Sequence, residues 1–180
     1  MTLAGVGMRR KNLLVLEVDV YLVGISFSPA ALTAAKNWKS PGNFSTPLAD
    51  LLLDKPAQNH GAVDATIVSI SLKFMRTVSQ TQMISAFEDA LVGCDKDAII
   101  EFREALNKVI NKEKGLQKGD VLNFDWPKSG GLVISSEICT CPSIKNVGLT
   151  KRLLEVYVDD ARTVSKDLVK CIKDNIDKIE

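Results

Sequence analysis

The chain has 180 residues and a mass of 19.6 kDa, of which 46% are hydrophobic and 25% charged. That is the size of one domain, enough to bury roughly 70% of the surface its unfolded form exposes, and it argues against a disordered chain. With 23 basic against 22 acidic side chains there is no global field to recruit nucleic acid or an anionic membrane, and Glu17 and Asp19 interrupt the best membrane-spanning run.

Gly5-Val6-Gly7-Met8-Arg9-Arg10-Lys11 reads as a glycine-broken basic turn whose backbone can come close to a ligand. It leads into the longest β-type run, residues 13 to 26. There Glu17 and Asp19 fall on one parity and Leu14, Leu16, Val18, Val20 and Leu22 on the other, so the second set is expected to be buried. Ser28-Pro29 opens a helix, with a serine cap and a proline at the first helical position, and Pro41-Gly42-Asn43 ends that segment. Leu48, Leu51 and Leu52 suggest a short second helix before a polar loop through Asn59-His60-Gly61. Ala65 to Met75 alternates as a second long strand.

Ser79 with Gln82 three residues on is a capping box, opening a helix to about Val92 with Met83, Ile84, Phe87, Ala90 and Leu91 as its apolar stripe. The spacing predicts another helix from Asp97 to Asn111. Val121 to Trp126 and Gly131 to Ser136 flank Pro127-Lys128-Ser129-Gly130 and read as a hairpin. Leu149, Leu153, Val156 and Tyr157 form a further helical stripe, Asp159-Asp160-Ala161-Arg162 breaks it, and Leu168, Val169, Ile172 and Ile176 form the last. Strands and helices do not alternate as βαβ units, so the expected class is α+β: one domain, residues 1–180, with a mainly antiparallel sheet covered by helices.

Most catalytic signatures are missing. Gly5-Val6-Gly7 lacks the third glycine of a dinucleotide fingerprint and runs into a strand. His60 is the one histidine, and no serine or cysteine lies in a nucleophile motif. Cys139-Thr140-Cys141 has no second pair at ligand spacing, so no metal or other cofactor is expected, and Cys94 and Cys171 complete a set too sparse for a disulfide framework. A reducing compartment fits, and no export signal is expected, because no basic region precedes an apolar run and a small-residue cleavage site. Arg9-Arg10-Lys11 is either a solvated tip or an anion contact, and Tyr21 either a core tyrosine or a donor.

Gly5 to Leu14, then Val18-Asp19-Val20-Tyr21 with Gly24, resembles the chalcone isomerase family, most closely its plant-type fatty-acid-binding branch. Phe74-Met75-Arg76-Thr77-Val78-Ser79 with Ala86-Phe87-Glu88, the stretch Lys118-Gly119-Asp120 through Phe124-Asp125-Trp126, and Leu153 to Val158 are similar to its later segments. The resemblance implies an open-faced β-sandwich: a long antiparallel sheet, a helical layer and a cleft between them. Isomerases of the family use an arginine, a threonine, and a tyrosine and an asparagine from the following helix. Arg9 falls on the arginine, Tyr21 replaces the threonine, and the two helix positions are Met83 and Ala90. Three of four polar groups are thus exchanged, and isomerase activity is not expected.

What the resemblance implies instead is a non-enzymatic binder of a long-chain fatty acid. Arg9 and Tyr21 would hold the carboxylate, and Met83 and Ala90 would line an apolar cleft. The physics agrees, since a carboxylate leaving water needs charge-assisted donors, a guanidinium supplies a planar fork, and a tyrosine adds a donor without charge. Two alternatives remain: a non-catalytic interaction protein assisting another enzyme, with a closed cleft and an exposed apolar patch, or residual intramolecular lyase activity. Plant relatives work in the plastid stroma; otherwise the expectation is cytoplasmic. The carboxylate site sets two conditions on the fold. Residues twelve apart on one straight strand lie about 40 Å apart, so the chain must double back near Val15. Tyr21 shares parity with Glu17 and Asp19, so a bulge must separate them.

Overall fold

The computed structural model describes residues 1–13, 16–38, 48–53, 66–159 and 163–179. Five strands, β1 (Thr2–Leu13), β2 (Leu16–Phe27), β3 (Thr66–Phe74), β4 (Val121–Pro127) and β5 (Val133–Ser135), form one sheet in sequence order, every neighbouring pair antiparallel. Among the described residues six helices accompany them: α1 (Pro29–Trp38), α2 (Leu48–Leu53), α3 (Gln80–Ala90), α4 (Lys96–Val109), α5 (Val147–Val158) and α6 (Lys166–Asn175). This is the expected α+β class and the fold that the chalcone isomerase resemblance implies. Pro41-Gly42-Asn43 and Asn59-His60-Gly61, expected to end one helix and to follow another, lie outside the described residues.

The start of the chain differs from the reading of its sequence. The glycine-broken basic segment is not a turn but most of β1, and the single strand expected over 13–26 is the end of one strand and nearly all of the next. No glycine or proline marks the reversal between Leu13 and Leu16; the hairpin is set by side-chain pairing along its length. Beyond Val20 the buried parity is also the opposite of the one expected. Arg9 and Arg10, adjacent on β1, face Tyr21 and Asp19 on β2, which leaves Val20 as the extra residue of a bulge. Asp19 therefore points outward, Tyr21 inward, and Leu22 outward against Met8 and Lys73.

Register then builds the covered face in rows. Phe27, Val68 and Trp126 stand side by side, followed by Ile25, Ile70, Phe124 and Ile134, then Val23, Leu72 and Leu122, and all of these are buried. The final row is Arg9, Tyr21 and Phe74. The other face carries Ser26, Ser69 and Asp125, then Gly24, Ser71 and Asn123, and is partly open to solvent, which accounts for its polar composition.

Helices close the covered face. Ser79 and Gln82 make the expected capping box at α3, and Asp95, Asn146 and Ser165 cap α4, α5 and α6 through their side chains. Helix α5 crosses the sheet. Near its start the Thr150 carbonyl accepts from Trp126 Nε1 at 3.1 Å, and two turns later Tyr157 lies by the opposite row. No helix among the described residues is long and apolar enough to cross a membrane.

Candidate functional site

An apolar face that ends in a polar row is the place to look for a ligand's head group. Arg9 and Tyr21 are direct cross-strand partners, which puts their Cβ atoms about 5 Å apart on one face. The hairpin and the bulge meet both conditions set by the sequence. The Tyr21 ring meets Phe74 edge-on, with centroids 5.6 Å apart, and Tyr21 is only 7% exposed.

Arg9 is held in place by the segment between α5 and α6. Its Nη1 donates to the Val164 carbonyl at 3.3 Å, the Val164 N–H donates to Val156 O at 2.9 Å, and Thr163 Oγ1 donates to Tyr157 O at 3.2 Å. One residue further, Ser165 Oγ donates to Met8 O at 3.0 Å while accepting from Leu168 N at 3.3 Å, so the cap of α6 is also a clasp on β1. The two glycines make this approach possible. A Cβ on Gly5 would stand 2.7 Å from Ile172 Cγ1, and one on Gly7 would overlap Ser165 Oγ and the Leu168 backbone. Their absent side chains admit a helix, not the ligand that the sequence reading expected there. Arg10, on the other face, pairs with Asp19 and Asp167, each at 3.1 Å.

A residue not singled out in the sequence completes the group. Tyr157 was expected only as part of an apolar stripe, yet its hydroxyl reaches the neighbourhood of Tyr21 and Arg9, and these are the chain's two tyrosines. Burial lifts both hydroxyls above the usual 10.0, Tyr157 well above; the interaction between the two hydroxyls lowers Tyr21 and raises Tyr157 further, and the Arg9 charge pulls both down. Tyr157 is fully buried; its hydroxyl interacts with that of Tyr21, but among the described residues no group stands at hydrogen-bonding distance and angle from its oxygen. An orphaned buried hydroxyl costs about 1–3 kcal/mol. The signal for it in the sequence was a tyrosine in an otherwise aliphatic stripe, because a buried phenol needs somewhere to put its oxygen.

Met83 and Ala90 share one face of α3 with Phe87. Met83 is 3% exposed and Ala90 is partly buried against the core. Phe87 meets Phe102 and Phe124 edge-on at 5.4 and 5.3 Å, so this face looks toward α4 and β4. No described hydrogen bond or ring contact joins Met83 or Ala90 to Arg9 or Tyr21. Two surface depressions lie elsewhere: one of about 250 Å³ beside Leu116 and Ile138, and one of about 470 Å³ between Cys94, Asn146 and Arg152. No trio of histidine, cysteine or acidic side chains among the described residues could hold a metal ion.

One guanidinium and two uncharged hydroxyls at the edge of an apolar face can stabilise an anion. With both phenols pushed toward their neutral forms, they are donors rather than bases at neutral pH.

No family model matches the chain, and no curated protein does. Among solved structures it is similar to the Arabidopsis thaliana fatty-acid binding protein AtFAP1, with a TM-score of 0.73 and 19% sequence identity, over 97% of this chain and 87% of that one. At that identity the likeness is one of fold.

Proposed function

We propose that this protein binds a long-chain fatty acid without transforming it. The carboxylate is held by Arg9 and Tyr21, and the alkyl tail runs in an apolar cleft between sheet and helices that Met83 and Ala90 help to line. The observation that carries this reading is the cross-strand pairing of Arg9 with Tyr21 at the polar end of an otherwise apolar face. The fold shared with a fatty-acid binding protein supports it. A carboxylate arriving there exchanges water for charge-assisted bonds in a poorly solvated corner. Each methylene buried along the tail contributes roughly 0.8 kcal/mol, so a dozen supply about 10 kcal/mol before the cost of ordering the chain and parting the core. The family resemblance extends the proposal to the plastid stroma as the place of action.

Native mass spectrometry of the purified protein, followed by identification of any co-purified ligand after denaturing extraction, tests this for the wild type and Arg9→Ala side by side. A fatty acid in the first, depleted in the second, is the expected result. If neither carries a fatty acid and added fatty acid does not bind, the proposal is wrong. One observation favours a second reading, the interaction protein. Leu3 and Val6 are 58% and 40% exposed on the open face of the edge strand β1, and Tyr21 and Tyr157 are closed off from solvent.

A further inference from the structure

Resting on that reading, we infer that Tyr157 is a third head-group donor, and that this corner is built for a fully buried carboxylate in preference to any uncharged end group. The starting point is the oxygen of Tyr157, completely buried against the Tyr21 hydroxyl, with which it interacts, and yet without a group in hydrogen-bonding geometry among the described residues. Buried hydroxyls are nearly always satisfied. One left open, next to a cation and a second hydroxyl, has the form of a site whose acceptor is missing.

The number of donors matches the number of acceptor positions. A carboxylate presents about four lone-pair positions. Arg9 offers a guanidinium fork, of which the described structure engages one nitrogen with the Val164 carbonyl, and the two tyrosines offer one O–H each. A fork and two hydroxyls fill a carboxylate; they overfill an alcohol or an ester, leaving a buried donor without an acceptor. The positions of the three groups are linked through the backbone. The carbonyl that Arg9 touches belongs to Val164, whose N–H is bonded to Val156 O, the residue before Tyr157, and Thr163 holds the Tyr157 carbonyl itself. The segment that orients Arg9 thus also orients Tyr157, and the two donors arrive in a fixed relation.

The test is titration calorimetry with decanoate and with 1-decanol on the wild type, Arg9→Ala, Tyr157→Phe and Tyr21→Phe, together with the ligand-free melting temperature of each. Wild type is expected to prefer decanoate. Tyr157→Phe should weaken decanoate about tenfold or more, as for a lost hydrogen bond to a charged group, and leave decanol within about twofold. Its ligand-free melting temperature should be unchanged or higher, because the phenyl ring removes an orphan. A purely structural tyrosine would lower the melting temperature and spare the decanoate preference. If Arg9→Ala loses decanoate while Tyr157→Phe binds it like wild type, the third donor is refuted and the fatty-acid reading stands. If the wild type binds neither compound, that reading falls and this inference with it.

Discussion

The covered face of the sheet has two ends that obey different rules. Away from the polar row, Ile25, Ile70, Phe124 and Ile134 lie side by side with no polar atom to satisfy, whereas at the far end Arg9 and Tyr21 lie beside Phe74 with Tyr157 close by. The first is a core in the ordinary sense, stabilised by burial. The second is equally dry at its tyrosines yet carries a cation's side chain and an unmet hydroxyl. Among the described rows only this one combines the two, which is what the proposed binding site requires and an ordinary core does not.

Five substitutions and one titration would sharpen or break that contrast. The largest effect is expected from Gly7→Ala, whose new methyl overlaps the first turn of α6 and unseats the segment that holds Arg9. A loss of more than about 3 kcal/mol in urea unfolding is the expected outcome. Gly24→Ala, in the same hairpin but on the open face with Leu3 Cδ1 at 3.6 Å, should stay within about 0.5 kcal/mol. Next comes Ile70→Ala in the apolar rows, expected to cost about 3 kcal/mol by the same assay. At the polar end, Tyr21→Phe should change stability by less than about 1 kcal/mol. If the two ends respond alike, the polar row is only core and its proposed role falls.

The titration uses the fact that the chain's two tyrosines are both in this corner. Each has its hydroxyl raised in the folded state, so above the unfolded value near 10.0 the unfolded chain releases protons that the folded chain keeps. Stability from this source is therefore full below about pH 10 and declines as pH rises beyond it. Tyrosinate absorbance should stay flat past that point and then appear together with the loss of helical circular dichroism. Absorbance rising at pH 10 in still-folded protein would mean that the corner is wet. A small effect is also expected from Arg10→Ala, whose pairs with Asp19 and Asp167 are exposed: any loss in urea unfolding should fade as salt is added.

Much of this architecture was legible in the sequence. The capping box, helical stripes and the β4–β5 hairpin obey local rules, so residues such as Ser79, Gln82, Phe87 and Leu153 announced their elements. The β1–β2 hairpin was not, because Leu13-Leu14-Val15-Leu16, the sequence that joins the two strands, contains no turn residue. The glycines at 5 and 7 looked like loop residues when their purpose was long-range contact with a helix that begins at Lys166. Arg9 and Tyr21 came from resemblance, and the conditions for their meeting were physical and were met. Tyr157 was hidden by periodicity, which reports that a side chain faces inward but not what its last atom finds there.

The bond from Arg9 to the Val164 carbonyl spans 155 positions of the chain, and that from Ser165 to Met8 spans 157. A ribosome that has made the hairpin has therefore made a cation with nothing to lean on, and the corner stays unbuilt until the segment before α6 has emerged and folded back. A ligand at the proposed head-group site could therefore be held only after that segment has docked on β1.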